Sequence, residues 1–308
     1  MNSGNGGRLL GLPERFDQSP WVDNLRRSHI DGGHLEALIR LGVKGLTSNP
    51  TIFQKAIQSG EGYGEQLTRL ATAGLDTNAI YWRMVLDDIR GAAQVFRPVY
   101  EATDGLDGYV SVEVDPSLAH DTDATLAAAR DLHQSLGLAN VMIKIPATRA
   151  GLPAIRTMIA EGRNVNVTLI FSLERYAEVV EAYIAGLEDL TATGGDPASV
   201  SSVASFFISR VDTEVDRRLD EAGTAGHLKG RAAVAQAKLA YRHFVGAFAG
   251  PRWASLSARG ARAQRPLWAS TSTKNPSYSD TLYVDELIGP FTVNTLPDET
   301  LEIGRAHV

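Results

Sequence analysis

Eight short runs of alternating apolar residues, each followed by a stretch with helical spacing, leave this chain few folds to choose from. The predicted strands are Pro20–Leu25, Val43–Ser48, Gly108–Val114, Asn140–Pro146, Asn164–Ile170, Ser199–Phe207, Pro266–Ser272 and Phe291–Thr295. Between them, apolar residues recur at three- and four-residue intervals over 34–41, 51–59, 77–99, 123–136, 150–161, 172–187, 212–222 and 228–248. Gly137 and Gly162 close two of these helices, and Ser172 is placed to cap another. Strands joined through helices run parallel. An open doubly wound sheet would need a glycine-rich phosphate turn after an early strand, and neither GxGxxG nor GxxxxGK[ST] occurs. The expectation is an α/β fold with a single closed (β/α)8 TIM barrel and its active site at the C-terminal mouth. Residues 1–19 are expected to form a flexible lead, and residues 20–308 the barrel with a short C-terminal segment.

One strand does what a buried strand should avoid. In Asn140-Val-Met-Ile-Lys-Ile-Pro146 the period of two sets Val141, Ile143 and Ile145 on one face and Asn140, Met142 and Lys144 on the other. Lys144 therefore points into whatever the strand encloses. Burial disfavours the charged form of an amine, and a neutral lysine is a nucleophile that forms Schiff bases with carbonyl substrates. A buried lysine–carboxylate pair that merely holds a barrel together explains the residue equally well. This stretch alone leaves both open.

Composition removes several other classes. With 308 residues, 44% of them hydrophobic, the chain can bury a large core. A net charge of −6 argues against nucleic acid or an acidic membrane as partner. There is no cysteine, hence no disulfide, thiolate nucleophile or thiolate metal site. The seven histidines form no HxxxH or HxH pair, so no metal is expected. No apolar run reaches membrane-spanning length, and the first residues lack the order of a signal peptide. A cytoplasmic protein is the expectation.

In a barrel, the polar residues at the strands' C-terminal ends converge on one mouth. Here those ends carry Asp23, Thr47, Asn49, Glu113, Lys144, Asn166, Thr168, Ser205, Arg210, Ser270 to Lys274, and Asn294. With Lys144 as the amine, Glu113 on the preceding strand can shuttle protons through a water positioned by Thr168. Asp23 can take the proton of a substrate hydroxyl as a carbon–carbon bond breaks. Asn49 and Asn166 offer donors and acceptors to a polyol. Arg210, with Ser205 and with Ser270, Ser272 or Lys274, can hold a phosphate. Each residue also has an ordinary explanation: Glu113 as an ion-pair partner, Asp23 and Asn49 as helix caps, Arg210 as a surface charge.

Five ordered strings, Gly45-Leu-Thr-Ser-Asn-Pro-Thr-Ile-Phe53, Val110-Ser-Val-Glu-Val-Asp-Pro116, Met142-Ile-Lys-Ile-Pro-Ala-Thr148, Asn164-Val-Asn-Val-Thr-Leu-Ile-Phe171 and Trp268-Ala-Ser-Thr-Ser-Thr-Lys274, resemble transaldolases of the actinobacterial and cyanobacterial type. The resemblance covers about residues 20 to 300. It implies a cofactor-independent class I Schiff-base enzyme that moves a dihydroxyacetone unit from a ketose phosphate, such as sedoheptulose 7-phosphate or fructose 6-phosphate, to an aldose phosphate. It implies Lys144 as the Schiff-base lysine, Glu113 and Thr168 as the acid/base and water-holding pair, and Asp23 as the base for bond cleavage. Thr47, Asn49 and Asn166 would hold the dihydroxyacetone portion, and Ser205 and Arg210 the phosphate. Many relatives have an arginine near the seventh strand's serine; this chain has Ser270, Ser272 and Lys274.

Relatives of this type also continue further past Pro297. The expectation is thin cover over the eighth strand, or cover from a partner subunit in a homodimer, and a different ketose–aldose pairing suited to a specialised pathway. Two other functions fit the same residues. One is an aldolase of the fructose 6-phosphate type, releasing its product without an acceptor; the other is a non-catalytic barrel that binds sugar phosphates.

Overall fold

The computed structural model describes residues 8–306. Its eight strands are β1 (Gln18–Val22), β2 (Gly45–Thr47), β3 (Val110–Glu113), β4 (Val141–Pro146), β5 (Val165–Ile170), β6 (Ser202–Phe207), β7 (Arg265–Ala269) and β8 (Thr292–Leu296). They follow one another in chain order around a closed barrel, and β1 pairs in parallel with both β2 and β8. The closed barrel expected from the eight alternating runs is therefore present. Most predicted strands are a few residues shorter, because each run's flanks are spent on turns and helix caps.

Two layers of apolar residues explain the closure. Val141, Ile143 and Ile145 of β4 join Val165 and Val167 of β5 in the core between barrel and helices. There they meet Val85, Ile89, Ala93 and Phe96 on the buried face of the Thr77–Ala102 helix. Removing a Val, Ile or Phe side chain of this kind from water is worth about 1.5–3 kcal/mol. The alternate residues fill the barrel itself: Trp21, Tyr109, Met142, Val203, Phe207, Leu267 and Val293 form a separate cluster. Trp21 lies so close to β2 that a Cβ at position 45 would fall 2.5 Å from its ring, which is why Gly45 stands there. The cluster makes an apolar floor, with Phe207 and Leu267 reaching the mouth.

Below that floor a charge pair seals the N-terminal end. Arg265 and Asp107 meet at 2.9 Å with side-chain exposures of 8% and 6%. Arg265 also donates to Ser19 Oγ and to the Leu106 carbonyl, while Asp107 accepts from Ser19 Oγ and Trp21 Nε1. Both carboxylate oxygens and both terminal guanidinium nitrogens have partners, as a buried pair requires.

Helix ends follow the predicted chemistry. Ser172 accepts from Arg175 N and caps the Leu173–Ala192 helix, and Gly137 closes the Thr122–Leu136 helix at φ 59°. Other expectations are corrected. Residues 1–7 lie outside the described residues, but the rest of the expected flexible lead is ordered: Arg8–Phe16 is a helix and β1 begins at Gln18. Its Leu9 and Leu12 are buried in the core, which anchors it. The alternation expected over Asn164–Ile170 breaks at Leu169, which has φ 59° where the β5–β6 register shifts between Val167 and Ile170. Asn294 lies on the opposite face of β8 from Val293 and Thr295, and so is not at the mouth. Asn140 precedes β4 and donates to the carbonyls of Ala93 and Gly108. Among the described residues no helix is long and apolar enough to cross a membrane.

The seal beneath the barrel yields a stability prediction. Asp107→Ala strands the Arg265 guanidinium and is expected to cost about 3–5 kcal/mol, read as a lower urea midpoint at unchanged m-value.

Candidate active site

The site begins with strand register. Glu113 of β3 lies directly across from Lys144 of β4, and Lys144 across from Asn166 of β5. Three inward side chains are therefore neighbours at the top of the barrel. Lys144 is 7% exposed. Its Nζ sits 3.3 Å from Glu113 Oε2 and donates to the Ser48 carbonyl at 3.3 Å. Both contacts are longer than the ~2.7–2.9 Å of a tight charge-assisted bond. Ser48 is fixed in turn, its hydroxyl donating to the Ser111 carbonyl at 2.6 Å. The ion pair expected as the ordinary explanation is present, and both of its members line a cavity rather than lying beneath one.

That cavity, of about 570 Å³, opens at the C-terminal ends of the strands and is lined by every predicted site residue except Asn166. Asp23, just beyond β1, is held by its backbone N–H on the Leu296 carbonyl, and its carboxylate accepts from Thr47 Oγ1 at 2.7 Å. It caps no helix. Asn49 does: its Oδ1 accepts from Ile52 N at 3.0 Å and opens the Pro50–Ser59 helix. Its Oδ1 is engaged there, and its Nδ2 donor remains for the cavity. Thr168 is buried, and its Oγ1 has no partner among the described residues. A buried hydroxyl left unpaired is costly, and a site that hydrogen-bonds a water or substrate oxygen relieves it.

Asn166 sits one layer down, with no exposed surface. Its amide donates to Ser111 Oγ at 3.0 Å and accepts from Ser205 Oγ at 2.7 Å. Two consequences follow. Asn166 supports the wall instead of forming it. Ser205 has committed its proton, so it presents an acceptor rather than the donor a phosphate needs.

The cationic side lies across the barrel from β2. Arg210 is in the first turn of the Ser209–Ala222 helix, its guanidinium 5.0 Å from the centre of the Phe207 ring. Such stacking holds a cation in place without consuming its donors. Ser270 shares a 2.9 Å hydrogen bond with Ser209 Oγ, and Lys274 Nζ donates to Ser272 Oγ at 2.5 Å. Backbone strain marks this rim. Leu169 and Ser270 hold φ of 59° and 58°, values that L residues adopt at a cost of about 1–2 kcal/mol. Leu169 is thereby turned from the helix layer into the cavity.

Sequence reasoning missed several contributors. Phe207, two residues from Ser205 on one strand face, was legible from the period. Lys55 lines the mouth from the Pro50–Ser59 helix and had no signal beyond its distance from Asn49. Ser48 and Ser111 act through backbone and hydroxyl contacts that spacing does not reveal. Burial, with the Asp115 and Glu113 carboxylates nearby, pushes the Tyr81 hydroxyl up to about 12. No group of three or more His, Asp or Glu side chains among the described residues is gathered to hold a metal ion.

A closed parallel barrel whose mouth gathers an amine, carboxylates and cations above an apolar floor defines the class of barrel enzymes that act on small polar substrates. Residues 20–308 match the family model described as Transaldolase/Fructose-6-phosphate aldolase. The chain is 57% identical over 292 residues to Transaldolase 1 of Streptomyces avermitilis, covering 94% of this chain and 77% of that protein. It is 54% identical to the transaldolase of Acidothermus cellulolyticus, over 94% of this chain and 78% of the relative. It is 49% identical to Transaldolase 2 of Nostoc sp., over 97% and 81%. The chain belongs to the transaldolase/fructose-6-phosphate aldolase family.

The double duty of Asn49 can be separated. Asn49→Ala is expected to lose about 1 kcal/mol of stability with the cap, whereas Asn49→Ser keeps a capping oxygen and unfolds within a few tenths of wild type in urea.

Proposed function

We propose that the chain is a transaldolase that transfers a dihydroxyacetone unit from a ketose phosphate to an aldose phosphate through a Schiff base on Lys144. The observation that carries this reading is the Lys144 amine, across from Glu113 in register and on the wall of a cavity whose apolar lining includes Phe207 and Leu267. The relatives reported above are all named transaldolase, which favours transfer over acceptor-free cleavage.

The residues divide the reaction as follows. Lys144 Nζ, having released a proton, attacks the ketose C2 carbonyl, whose oxygen is protonated to give a carbinolamine. Glu113 supplies the proton that lets this hydroxyl leave as water, and a protonated imine forms. Asp23 takes the proton of the C4 hydroxyl while the C3–C4 bond breaks. The C4 carbon leaves as an aldehyde, and the bonding pair moves to C3 and into the imine, giving an enamine. In the transfer half, enamine C3 attacks the carbonyl carbon of the acceptor aldose and Asp23 returns its proton to the new hydroxyl. Water held by Thr168 and activated by Glu113 then hydrolyses the imine and frees the new ketose.

Asp23 suits its role because Thr47 holds one oxygen and leaves the other toward the cavity. Asn49 Nδ2 is available to a dihydroxyacetone oxygen. Arg210 and Lys274, with Ser272, suit the phosphate of either sugar, and Lys274 serves where many relatives have an arginine. Sedoheptulose 7-phosphate and fructose 6-phosphate are the donors to test first.

Borohydride reduction in the presence of fructose 6-phosphate is expected to add the mass of the reduced three-carbon unit to the peptide containing Lys144; modification of a different lysine refutes the mechanism. Lys144→Ala is expected to abolish both trapping and transfer, and Glu113→Gln to lower kcat about 10²–10⁴-fold. Thr168→Val removes an unpartnered hydroxyl, so it should fold as stably as wild type within about 1 kcal/mol yet form and hydrolyse the imine more slowly, read by single-turnover kinetics.

A further inference from the structure

The connection between β7 and β8, residues 270–291, brings Ser272 and Lys274 to the mouth, yet its only helix is the four-residue Leu282–Asp285. A long connection with so little structure of its own must be held from outside. Two carboxylates one turn apart on the Ser209–Ala222 helix do this. Asp212 and Asp216 are 1% and 9% exposed, and each divides its oxygens in the same way. Asp212 accepts from Ala233 N with one oxygen and from the Tyr283 hydroxyl with the other, both at 2.8 Å. Asp216 accepts from Gly230 N at 3.0 Å and from the Tyr278 hydroxyl at 2.5 Å.

These are two parallel brackets. Each ties the start of the Ala232–Ala247 helix and the β7–β8 connection to one helix. The tyrosines remain donors: burial, with the Asp216 carboxylate, pushes the Tyr278 hydroxyl up to about 12, and burial, with Asp212, raises that of Tyr283. Packing reinforces the outer bracket. Gly230 has φ 70°, and a Cβ there would meet the Tyr278 ring at 2.8 Å.

The bracketing helix also carries Arg210 on its first turn. One rigid element therefore holds the first cation of the mouth directly and governs the second through the tyrosines. Lys274 lines both the mouth and a second cleft walled by Asp212, Asp216 and Asp220. The ammonium is on Ser272, which lines the mouth and not that cleft. Released from the tyrosines, the segment bearing Lys274 would be free to turn it toward the cleft's carboxylates.

We infer that the Asp212–Tyr283 and Asp216–Tyr278 brackets are positioning residues that hold Lys274 opposite Arg210, and thereby set the affinity for the phosphorylated end of the sugar. This rests on the transaldolase reading above and deepens it. Neither tyrosine touches the reacting carbons, so their effect should be confined to phosphate recognition.

The test compares a phosphorylated and a phosphate-free ligand. Tyr278→Phe is expected to raise KM for fructose 6-phosphate roughly tenfold with kcat changed less than about twofold, while borohydride trapping of dihydroxyacetone on Lys144 is unchanged. Tyr283→Phe provides a second variant with the same expectation. In a Lys274→Met background, Tyr278→Phe should add nothing to KM, because its effect passes through the missing ammonium. An unmoved KM, a matching loss of dihydroxyacetone trapping, or multiplicative effects in the double variant would each overturn the inference. Failure of the wild-type enzyme to be trapped at all overturns the Schiff-base reading and the brackets with it; trapping with an unmoved KM overturns the brackets alone.

Discussion

A single ammonium turned into the barrel governs the arrangement of the mouth. An unpaired charge in so dry a place would be prohibitive. The strands answer it locally, with Glu113 beside Lys144 and the Ser48 carbonyl above it. Neither contact is short, so the amine is stabilised without being locked. Short contacts to several partners, of the kind Arg265 finds in Asp107, Ser19 and the Leu106 carbonyl at the other end of the barrel, would suit a purely structural lysine better. Lys144 and Arg265 thus differ in a way that follows their positions. Arg265 is held by several short contacts at the closed end, and Lys144 is loosely held on the wall of the cavity.

The mouth is polarised by the order of the strands. In a closed eight-stranded barrel, β2 lies across from β6, so Thr47 and Asn49 face Arg210. Glu113 and Lys144, on β3 and β4, lie between them in strand order. Strain at Leu169 and Ser270 flanks the cationic pole. Local distortion of this size persists only where the surrounding structure over-determines it. At Ser270 that support is visible as paired side-chain and backbone hydrogen bonds with Ser209.

Much of the surrounding polar structure holds residues that a substrate would meet. Asn166 and Ser205 bond each other, Phe207 carries Arg210, and Asp212 and Asp216 anchor the connection bearing Lys274. Buried polar groups with every atom satisfied are rigid, and sites built on them stay close to one geometry. Thr168 is the exception beside the lysine, with a hydroxyl that no described residue satisfies.

How much of this was legible in the chain depends on how local the cause is. The eight alternating runs, the inward direction of Lys144, the cap at Ser172 and the gathering of polar strand ends all follow from a period of two, a period of 3.6 and the chemistry of a few residues. The sequence by itself therefore determined the barrel and the family motifs, and it named many of the polar residues of the cavity wall, though not Lys55, Phe207 or Leu169. Tertiary structure decided which atoms those residues keep free. The register shift in β5 turned Leu169 into the cavity, pairing across β5 and β6 withdrew Asn166 and the Ser205 proton, and the outward face of β8 removed Asn294. A hydrogen bond between residues far apart in the chain leaves no periodic trace. Which oxygen or proton remains for a substrate is settled only when the strands lie side by side.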